Sequence, residues 1–263
     1  MDEKDRLKEL LRLNNSTNIT GLEALIESRL RHRVRYAQRD EFDRVHRELI
    51  LRQSLLFNPM YQALFADELR PRQVALFLSE YYHGSIAGFL REVMPLALNA
   101  YQEPLWGAYI RQIRLEESKP RNHAILFEEF MASVGVVAEP PRAPALEFIA
   151  ASKRGYTFNL PHSCGYALAV EVEADYQIAV VAAFARRHFG AGAVAGNTWF
   201  DTHLDVTGEE EHARQTVVLS EVAVKDTADF QEFVLGFEHA CRDTERFMLS
   251  LHGLMRAQEV DDA

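Results

Sequence analysis

Apolar side chains recur at intervals of three and four residues along most of this chain, which is the spacing of one face of an α-helix. The same spacing runs through residues 105–117, 122–135 and 161–188, and again after residue 226. No segment alternates apolar and polar residues as a half-buried strand does. The pattern predicts an all-α protein of roughly eight to ten helices. It is clearest in residues 73–100, at positions Val74, Phe77, Leu78, Tyr81, Tyr82, Ile86, Phe89, Leu90, Val93 and Met94.

Glycine, proline and helix-capping residues mark the predicted helix ends. Pro95 is expected to kink or interrupt the helix over residues 73–100, and Pro120 to break the chain after the helix over residues 105–117. Asn122 is a predicted N-cap for the helix that follows, and Gly135 is its predicted end. The Thr207-Gly208 pair is expected to separate two further helices. These signals divide the chain into helices joined by short connections.

The first part of the chain differs from the rest in composition. Residues 28–53 are rich in arginine, with acidic residues interleaved. We interpret them as solvated amphipathic helices, with a dimer contact or a lid that binds a substrate carboxylate as the alternative. The predicted organisation is an N-terminal helical extension over residues 1–55 and one helical domain over residues 56–263, and we expect a homodimer.

Charge and cysteine content narrow the classes of ligand. The 263 residues carry a net charge of -10, which argues against nucleic acid and anionic membrane surfaces, because both need a basic protein surface. The two cysteines, Cys164 and Cys241, are too few for a disulfide framework. No stretch approaches the roughly 20 apolar residues of a membrane-spanning helix. We therefore expect a cytoplasmic protein whose ligand is a small molecule.

Carboxylates and imidazoles occur together at three separate places in this helical pattern. Glu116 and His123 are seven residues apart, Glu171 and Glu173 interrupt a strongly apolar helix, and residues 200–213 contain further histidines and acids. Carboxylate oxygens combined with imidazole nitrogens suit iron or manganese better than thiolate-binding metals. The three segments therefore predict a non-haem iron or di-iron site.

Only one of Glu171 and Glu173 is expected to face the core, because residues i and i+2 point to different sides of a helix. Glu171 continues the stripe that contains Leu168 and Ile178, so we favour it. A buried carboxylate is costly unless it is paired or bound to a metal. The alternative is a helix edge on which both acids are half exposed.

The other two segments also have non-metal interpretations. Glu116 lies at the C-terminal end of its predicted helix, where a carboxylate opposes the helix dipole unless a cation is near, and surface acids are the alternative. His203 and His212 are nine residues apart, which does not align them on one unbroken helix. The break at Thr207-Gly208 can correct that alignment, and the alternative is a polar surface helix.

These motifs resemble those of the haem-oxygenase-like di-iron oxidases and oxygenases, near the TenA/PqqC-type proteins and the chlamydial protein that associates with death domains. The resemblance covers roughly residues 69–251 and includes the family's Glu-plus-His helix motif, an aromatic stretch before it, a mid-chain Glu motif and a His-x3-Asp/Glu-x2-His motif. In this chain these are Leu115-Glu-Glu-x5-His123-x3-Phe127-x2-Phe130-x4-Gly135, Glu80-Tyr-Tyr-His-x5-Phe89, Gly165-x5-Glu171, and Phe200-x2-His203 with His212-Ala213.

The resemblance implies a haem-oxygenase-like bundle of about seven core helices and two Fe(II) ions that activate O2 as cosubstrate. The metal ligands it implies are Glu116, His123, Glu171, His203, Glu209 and His212. The last two histidines depart from the family's spacing of seven. If the second histidine of the motif is aligned with His212, Glu209 takes the acidic position. If the first histidine is aligned with His203, Thr207 takes that position instead. Asp205 is the other nearby acid.

The implied function is a non-haem di-iron oxidase or oxygenase. Its substrate would be small, an amino acid or a metabolite derived from one, and the outcome N-oxygenation, C–C cleavage or desaturation. One alternative is a metal-free TenA/PqqC-like enzyme with Cys164 as nucleophile, which requires a lowered thiol pKa. Another is a helical binding protein without catalytic activity.

Overall fold

The computed structural model describes residues 58–66, 69–204 and 208–261. The N-terminal extension expected over residues 1–55 therefore lies outside the described residues. Within the described part of the chain the regular structure is helical and contains no strand, which confirms the predicted all-α class. The α-helices are α1 Pro59–Ala66, α2 Pro71–Tyr81, α3 Met94–Leu98, α4 Pro104–Glu116, α5 His123–Ser133, α6 Ala143–Gly155, α7 Leu160–His188, α8 Thr198–Leu204, α9 Gly208–Ala223 and α10 Thr227–Asp261.

Helices α2 and α3 are joined by two wide helical turns, Tyr82–Ala87 and Phe89–Val93. In these turns the amide of Gly88 donates to the carbonyl of His83, five residues earlier, which is the hydrogen bond of a π-helix. Pro95 lies in the first turn of α3, which follows the second wide turn directly, so the helical run continues past Pro95 to Leu98. Wide turns of this kind often occur at functional sites, and these border the cavity described below.

Helix α7 is the central helix of the domain. Helix α10 packs along one side of it and α9 along another. The contact with α10 is close because Gly165 of α7 and Gly236 of α10 carry no side chain. A Cβ atom at Gly165 would collide with the carbonyl of Phe233, and one at Gly236 with the carbonyl of His162.

The buried apolar side chains form two clusters. One surrounds Trp106 and Phe237, and the other surrounds Phe127 and Trp199. Helix α7 contributes to both, with Leu168 in the first and Ile178, Val181 and Phe184 in the second. The candidate site lies where the two clusters meet along α7.

The predicted helix start at Asn122 is confirmed, and α10 is capped in a similar way. Asn122 accepts a hydrogen bond from the amide of Ala124 at 3.0 Å and caps α5. Asp226 accepts one from the amide of Asp229 at 2.9 Å at the start of α10. None of the described helices combines the length and the apolar character needed to cross a membrane.

Candidate metal centre

Two consecutive carboxylates stand at the C-terminal end of α4. Glu116 is the last residue of the helix and Glu117 is its C-cap. Because consecutive residues of a helix point in different directions, the two side chains face different partners. Each belongs to its own group of imidazoles and acids.

The first group, the Glu117 cluster, consists of Glu117, His123 and His203. One ligand atom from each side chain lies within 4.8 Å of the others. Nδ1 of His123 is 2.7 Å from Oε2 of Glu117, and the rings of His123 and His203 have centroids 4.6 Å apart. His123 is the first residue of α5, and His203 lies in the last turn of α8. Two helix ends thus bring both imidazoles to Glu117.

Backbone carbonyls orient both imidazoles of this cluster. Nε2 of His123 lies 2.8 Å from the carbonyl oxygen of Lys119, and Nδ1 of His203 lies 2.7 Å from that of Trp199. Because a carbonyl only accepts, each of these nitrogens carries the proton. In the neutral rings the lone pairs are then on Nδ1 of His123 and Nε2 of His203, as in metal-binding histidines whose other nitrogen is held by a backbone acceptor.

The second group, the Glu116 cluster, consists of Glu116, Glu171 and His212. Nε2 of His212 is 2.7 Å from Oε2 of Glu116, and its Nδ1 is 3.4 Å from Oε2 of Glu171. One imidazole from α9 therefore lies between carboxylates from α4 and α7. Residues outside the cluster hold both acids, since Gln112 donates to Glu116 and the hydroxyl of Tyr109 donates to Glu171 at 3.3 Å.

The Oε2 atom of Glu116 is buried and accepts no well-aligned hydrogen bond from the described residues. Nε2 of His212 is near it, but not in the direction of an N–H···O bond. A buried carboxylate oxygen without a donor is costly. A bound cation would compensate that cost.

The two clusters adjoin each other through Glu117. Burial raises the pKa of the Glu117 carboxyl, but a hydrogen bond from His123 and the nearby imidazoles of His123, His203 and His212 outweigh it, so the pKa lies below its ordinary value. The carboxylate is therefore kept charged. His212, which contacts Glu116, also acts on Glu117, so the Glu116 and Glu117 clusters are neighbours.

Five of the residues predicted as ligands fall in these clusters. His123 and His203 are in the Glu117 cluster, and Glu116, Glu171 and His212 are in the Glu116 cluster. The sixth, Glu209, lies in α9, but its side chain is outside the described residues, as is Asp205.

Sequence reasoning missed Glu117 as a candidate ligand. The seven-residue spacing paired Glu116 with His123, but α4 ends at Glu116 and the chain turns before α5 begins. The spacing therefore does not run along one helix. The sequence contains one relevant signal, which is the predicted helix end. Glu117 directly follows the last helical residue, so its side chain points in a different direction from that of Glu116.

The expectation that only one of Glu171 and Glu173 faces the core was wrong. Glu171 is 5% exposed and Glu173 is 3% exposed. Both are buried because α9 and α10 cover different sides of α7. Glu171 faces Tyr109 and His212. Glu173 instead faces α10, where Cys241 and Thr244 lie beside it. Burial raises the pKa of Glu173 to about 7.

A cavity of about 100 Å³ opens beside both clusters. Glu117 and His203 line it from the Glu117 cluster, Glu171 from the Glu116 cluster, and Glu173 from the side of α10. The two wide turns after α2 form another part of its wall. The apolar and aromatic lining residues are Tyr81, Ile86, Phe89, Leu90, Ile113, Phe148, Val170, Ala174, Ile178 and Trp199. The cavity offers space for a small organic molecule next to the candidate ligands.

No protein-family model matches this sequence, and a comparison with curated proteins finds no match. Among solved structures, a cadd-like protein of unknown function from Nostoc punctiforme resembles this chain with a TM-score of 0.64 and 18% identity. The likeness covers 81% of this chain and 97% of that chain. It shows a shared helical fold. Fold and site together define an all-α protein with a buried group of histidines and glutamates that could hold a metal ion.

Proposed function

We propose that this protein is a non-haem di-iron oxidase or oxygenase with a haem-oxygenase-like fold, which uses O2 to oxidise a small molecule. The observation that supports this most strongly is the adjacency of the Glu116 and Glu117 clusters beside one cavity. Each cluster combines carboxylate with imidazole. The cavity gives a substrate access to both.

The donor sets fit iron. The Glu117 cluster offers two imidazoles and one carboxylate, the combination found in non-haem Fe(II) oxygenases that leave coordination positions open. The Glu116 cluster adds one imidazole and two carboxylates, but these carboxylates face different nitrogens of His212, so the Glu117 cluster is the one whose ligand atoms converge. Neither cysteine is a member of either cluster. When bound, Fe(II) would supply the electrons and the open coordination positions that O2 activation requires.

The protein's own residues would hold, orient and shield this centre. Carbonyls of Lys119 and Trp199 keep the lone pairs of His123 and His203 directed away from the backbone. Tyr109 donates to Glu171 and keeps one of its oxygens in place. Burial of the imidazoles and of Glu171 excludes bulk water, which strengthens electrostatic interactions inside the site.

The substrate class proposed is an amino acid or a metabolite derived from one. Its apolar part would contact the aromatic lining of the cavity, and its polar part the carboxylates on the other wall. N-oxygenation, C–C cleavage and desaturation are the reaction outcomes that stay open within this proposal.

The metal-free alternative depends on Cys164, and the position of that residue does not favour it. Cys164 is 0% exposed in the core. Burial raises the pKa of its thiol, and a nearby hydrogen bond with Ser220 opposes this only in part. A nucleophilic cysteine needs the opposite shift, because the thiolate is the reactive form.

Iron binding tests the proposal. Protein reconstituted with Fe(II) without oxygen, then desalted, should retain two irons per chain and consume O2 when a substrate is added. His203→Ala should lower the retained iron, because it removes one imidazole of the Glu117 cluster. His83→Ala is the matched control, since His83 contacts the carbonyl of Glu139 and belongs to neither cluster. Wild-type protein that retains no iron would support the non-catalytic binding protein instead.

A further inference from the structure

The cavity beside the metal clusters contains one carboxylate that belongs to neither cluster. Glu173 lies on α7, is 3% exposed and lines the same cavity as Glu171 and Glu117. Neither of its oxygens accepts a well-aligned hydrogen bond from the described residues. A buried carboxylate in this state carries an uncompensated desolvation cost, so its presence in a cavity wall suggests a ligand that supplies the missing donor.

The side chains of Cys241 and Thr244 are the hydrogen-bonding groups beside Glu173, and neither makes a well-aligned hydrogen bond to it. The hydroxyl of Thr244 donates to the carbonyl of Ala240 at 3.0 Å, so its proton is already used. The thiol of Cys241 is a weak donor. Asp243 and Glu245 are like charges near Glu173 and cannot neutralise it. The described residues that line the cavity include no lysine and no arginine.

The remaining lining indicates what kind of cation would fit. Aromatic rings of Tyr81, Phe89, Phe148 and Trp199 form part of the wall. Such rings contact the apolar body of an organic molecule and also attract a cationic group. A small hydrated inorganic cation would leave these surfaces without a partner. The lining therefore favours an organic ammonium with an apolar body.

We propose that Glu173 binds the ammonium group of the substrate. The bound amine would lie beside the Glu116 and Glu117 clusters. Its oxidation there rests on the proposed function, whereas its binding to Glu173 does not. Binding to Glu173 makes primary amines with an apolar body, such as those derived from apolar amino acids, the substrate class. A fatty acid is excluded from the same pose, because its carboxylate would meet Glu173 and no basic lining residue.

The test compares ligands that share a body and differ in one group. The probes are 2-phenylethylamine, 2-phenylethanol, 3-phenylpropanoate and L-phenylalanine, titrated calorimetrically into the iron-reconstituted protein. Wild-type protein should bind the amine at least ~10-fold more tightly than the alcohol, which corresponds to one charge-assisted hydrogen bond. Glu173→Gln should reduce that ratio to about one, because the amide keeps the shape and loses the charge.

Two further variants control the comparison. Glu173→Asp keeps the charge on a shorter side chain and should retain part of the preference for the amine. Glu129→Gln removes an exposed carboxylate that pairs with Arg121 and should leave the ratio unchanged. Glu173→Gln should also retain its iron, since Glu173 is in neither cluster.

The results distinguish this inference from the proposed function. Equal binding of the amine by wild-type protein and Glu173→Gln, or wild-type preference for the alcohol or the carboxylate, would overturn the inference whatever the iron content. An amine preference that depends on Glu173 in protein that binds no iron would keep the ammonium site and overturn the oxidase proposal.

Discussion

Nδ1 of His123 lies 2.7 Å from a carboxylate oxygen of Glu117, while the other ring nitrogen lies 2.8 Å from the carbonyl of Lys119. Both neighbours are acceptors. A proton on Nδ1 would relieve the repulsion between the lone pair of that nitrogen and the carboxylate, as the proton on Nε2 does toward the carbonyl. A metal ion would take the place of the proton between His123 and Glu117, so that the same two atoms become ligands.

Iron binding should therefore release protons. The number of protons released is measured by calorimetric titration with Fe(II) or Mn(II) in buffers of different ionisation enthalpy. The metal affinity should fall as the pH is lowered, because protons compete for the same lone pairs. His123→Ala should reduce both the number of protons released and the affinity. Binding without proton release at neutral pH would contradict this geometry.

Tyr109 is expected to support the Glu116 cluster from outside it. Its hydroxyl donates to Glu171 at 3.3 Å and lies 2.9 Å from the hydroxyl of Thr216. Tyr109→Phe removes the donor to a buried carboxylate and should cost about 1–3 kcal/mol in the free energy of unfolding. Loss of such an outer partner typically lowers metal affinity about 10–100-fold.

Tyr61→Phe is the matched control for Tyr109→Phe. Tyr61 is also fully buried, but its hydroxyl has no hydrogen-bond partner among the described residues. Its removal should leave the free energy of unfolding unchanged or higher, with iron binding intact. Both quantities come from denaturant titrations and from iron analysis after desalting. Equal effects of the two substitutions would show that Tyr109 contributes only packing.

Much of the helical framework was predictable because its signals are local. The apolar spacing in residues 161–188 predicted a long helix, and α7 spans Leu160–His188. Asn122 was predicted as an N-cap from its side-chain chemistry and its position after Pro120, and it caps α5. Such features depend on neighbouring residues alone, so the sequence contains them.

The parts that sequence reasoning missed depend on packing between distant segments. The burial of Glu173 follows from α10 covering a side of α7 that the apolar stripe does not mark. The position of Glu117 follows from the direction of the chain after α4. The apolar spacing continues through the wide turns before α3, so it does not distinguish them from an α-helix. The motif resemblance identified His203 and His212 as candidate ligands. They belong to different clusters because α8 and α9 are separate helices.

The crossing of α7 and α10 should be sensitive to a single methyl group. Gly165→Ala places a Cβ atom against the carbonyl of Phe233, which is backbone and cannot rotate away. Overpacking of this kind typically costs about 1–3 kcal/mol, and the shift of α7 should also weaken iron binding through Glu171. Gly253→Ala in α10 is the control, because nothing lies within 4 Å of the added atom. It should leave stability unchanged or raise it by up to about 1 kcal/mol.

His162 should make the protein less stable in mild acid. Burial and the neighbouring His239, whose Nδ1 is 2.9 Å from Nε2 of His162, lower the pKa of His162 below its ordinary value. The unfolded chain then binds more protons than the folded one as the pH falls through the ordinary range near ~6.5. The stabilisation present above that range is lost on acidification. His162→Gln should flatten the dependence of the free energy of unfolding on pH between 7 and 5, and an unchanged slope would contradict the assignment.

Cys164 should be chemically silent in the folded protein. Its thiol is buried in the core and burial raises its pKa, so thiolate is scarce at neutral pH. Iodoacetamide at pH 8 should label it only after unfolding, as measured by mass spectrometry of digested peptides. Cys164→Ala removes one sulfur atom from the core and should leave iron content and O2 consumption close to those of the wild-type protein. Loss of turnover in Cys164→Ala with wild-type stability, together with full turnover in His123→Ala, would instead support a metal-free thiol enzyme, because the first residue would then be essential and the metal ligand dispensable.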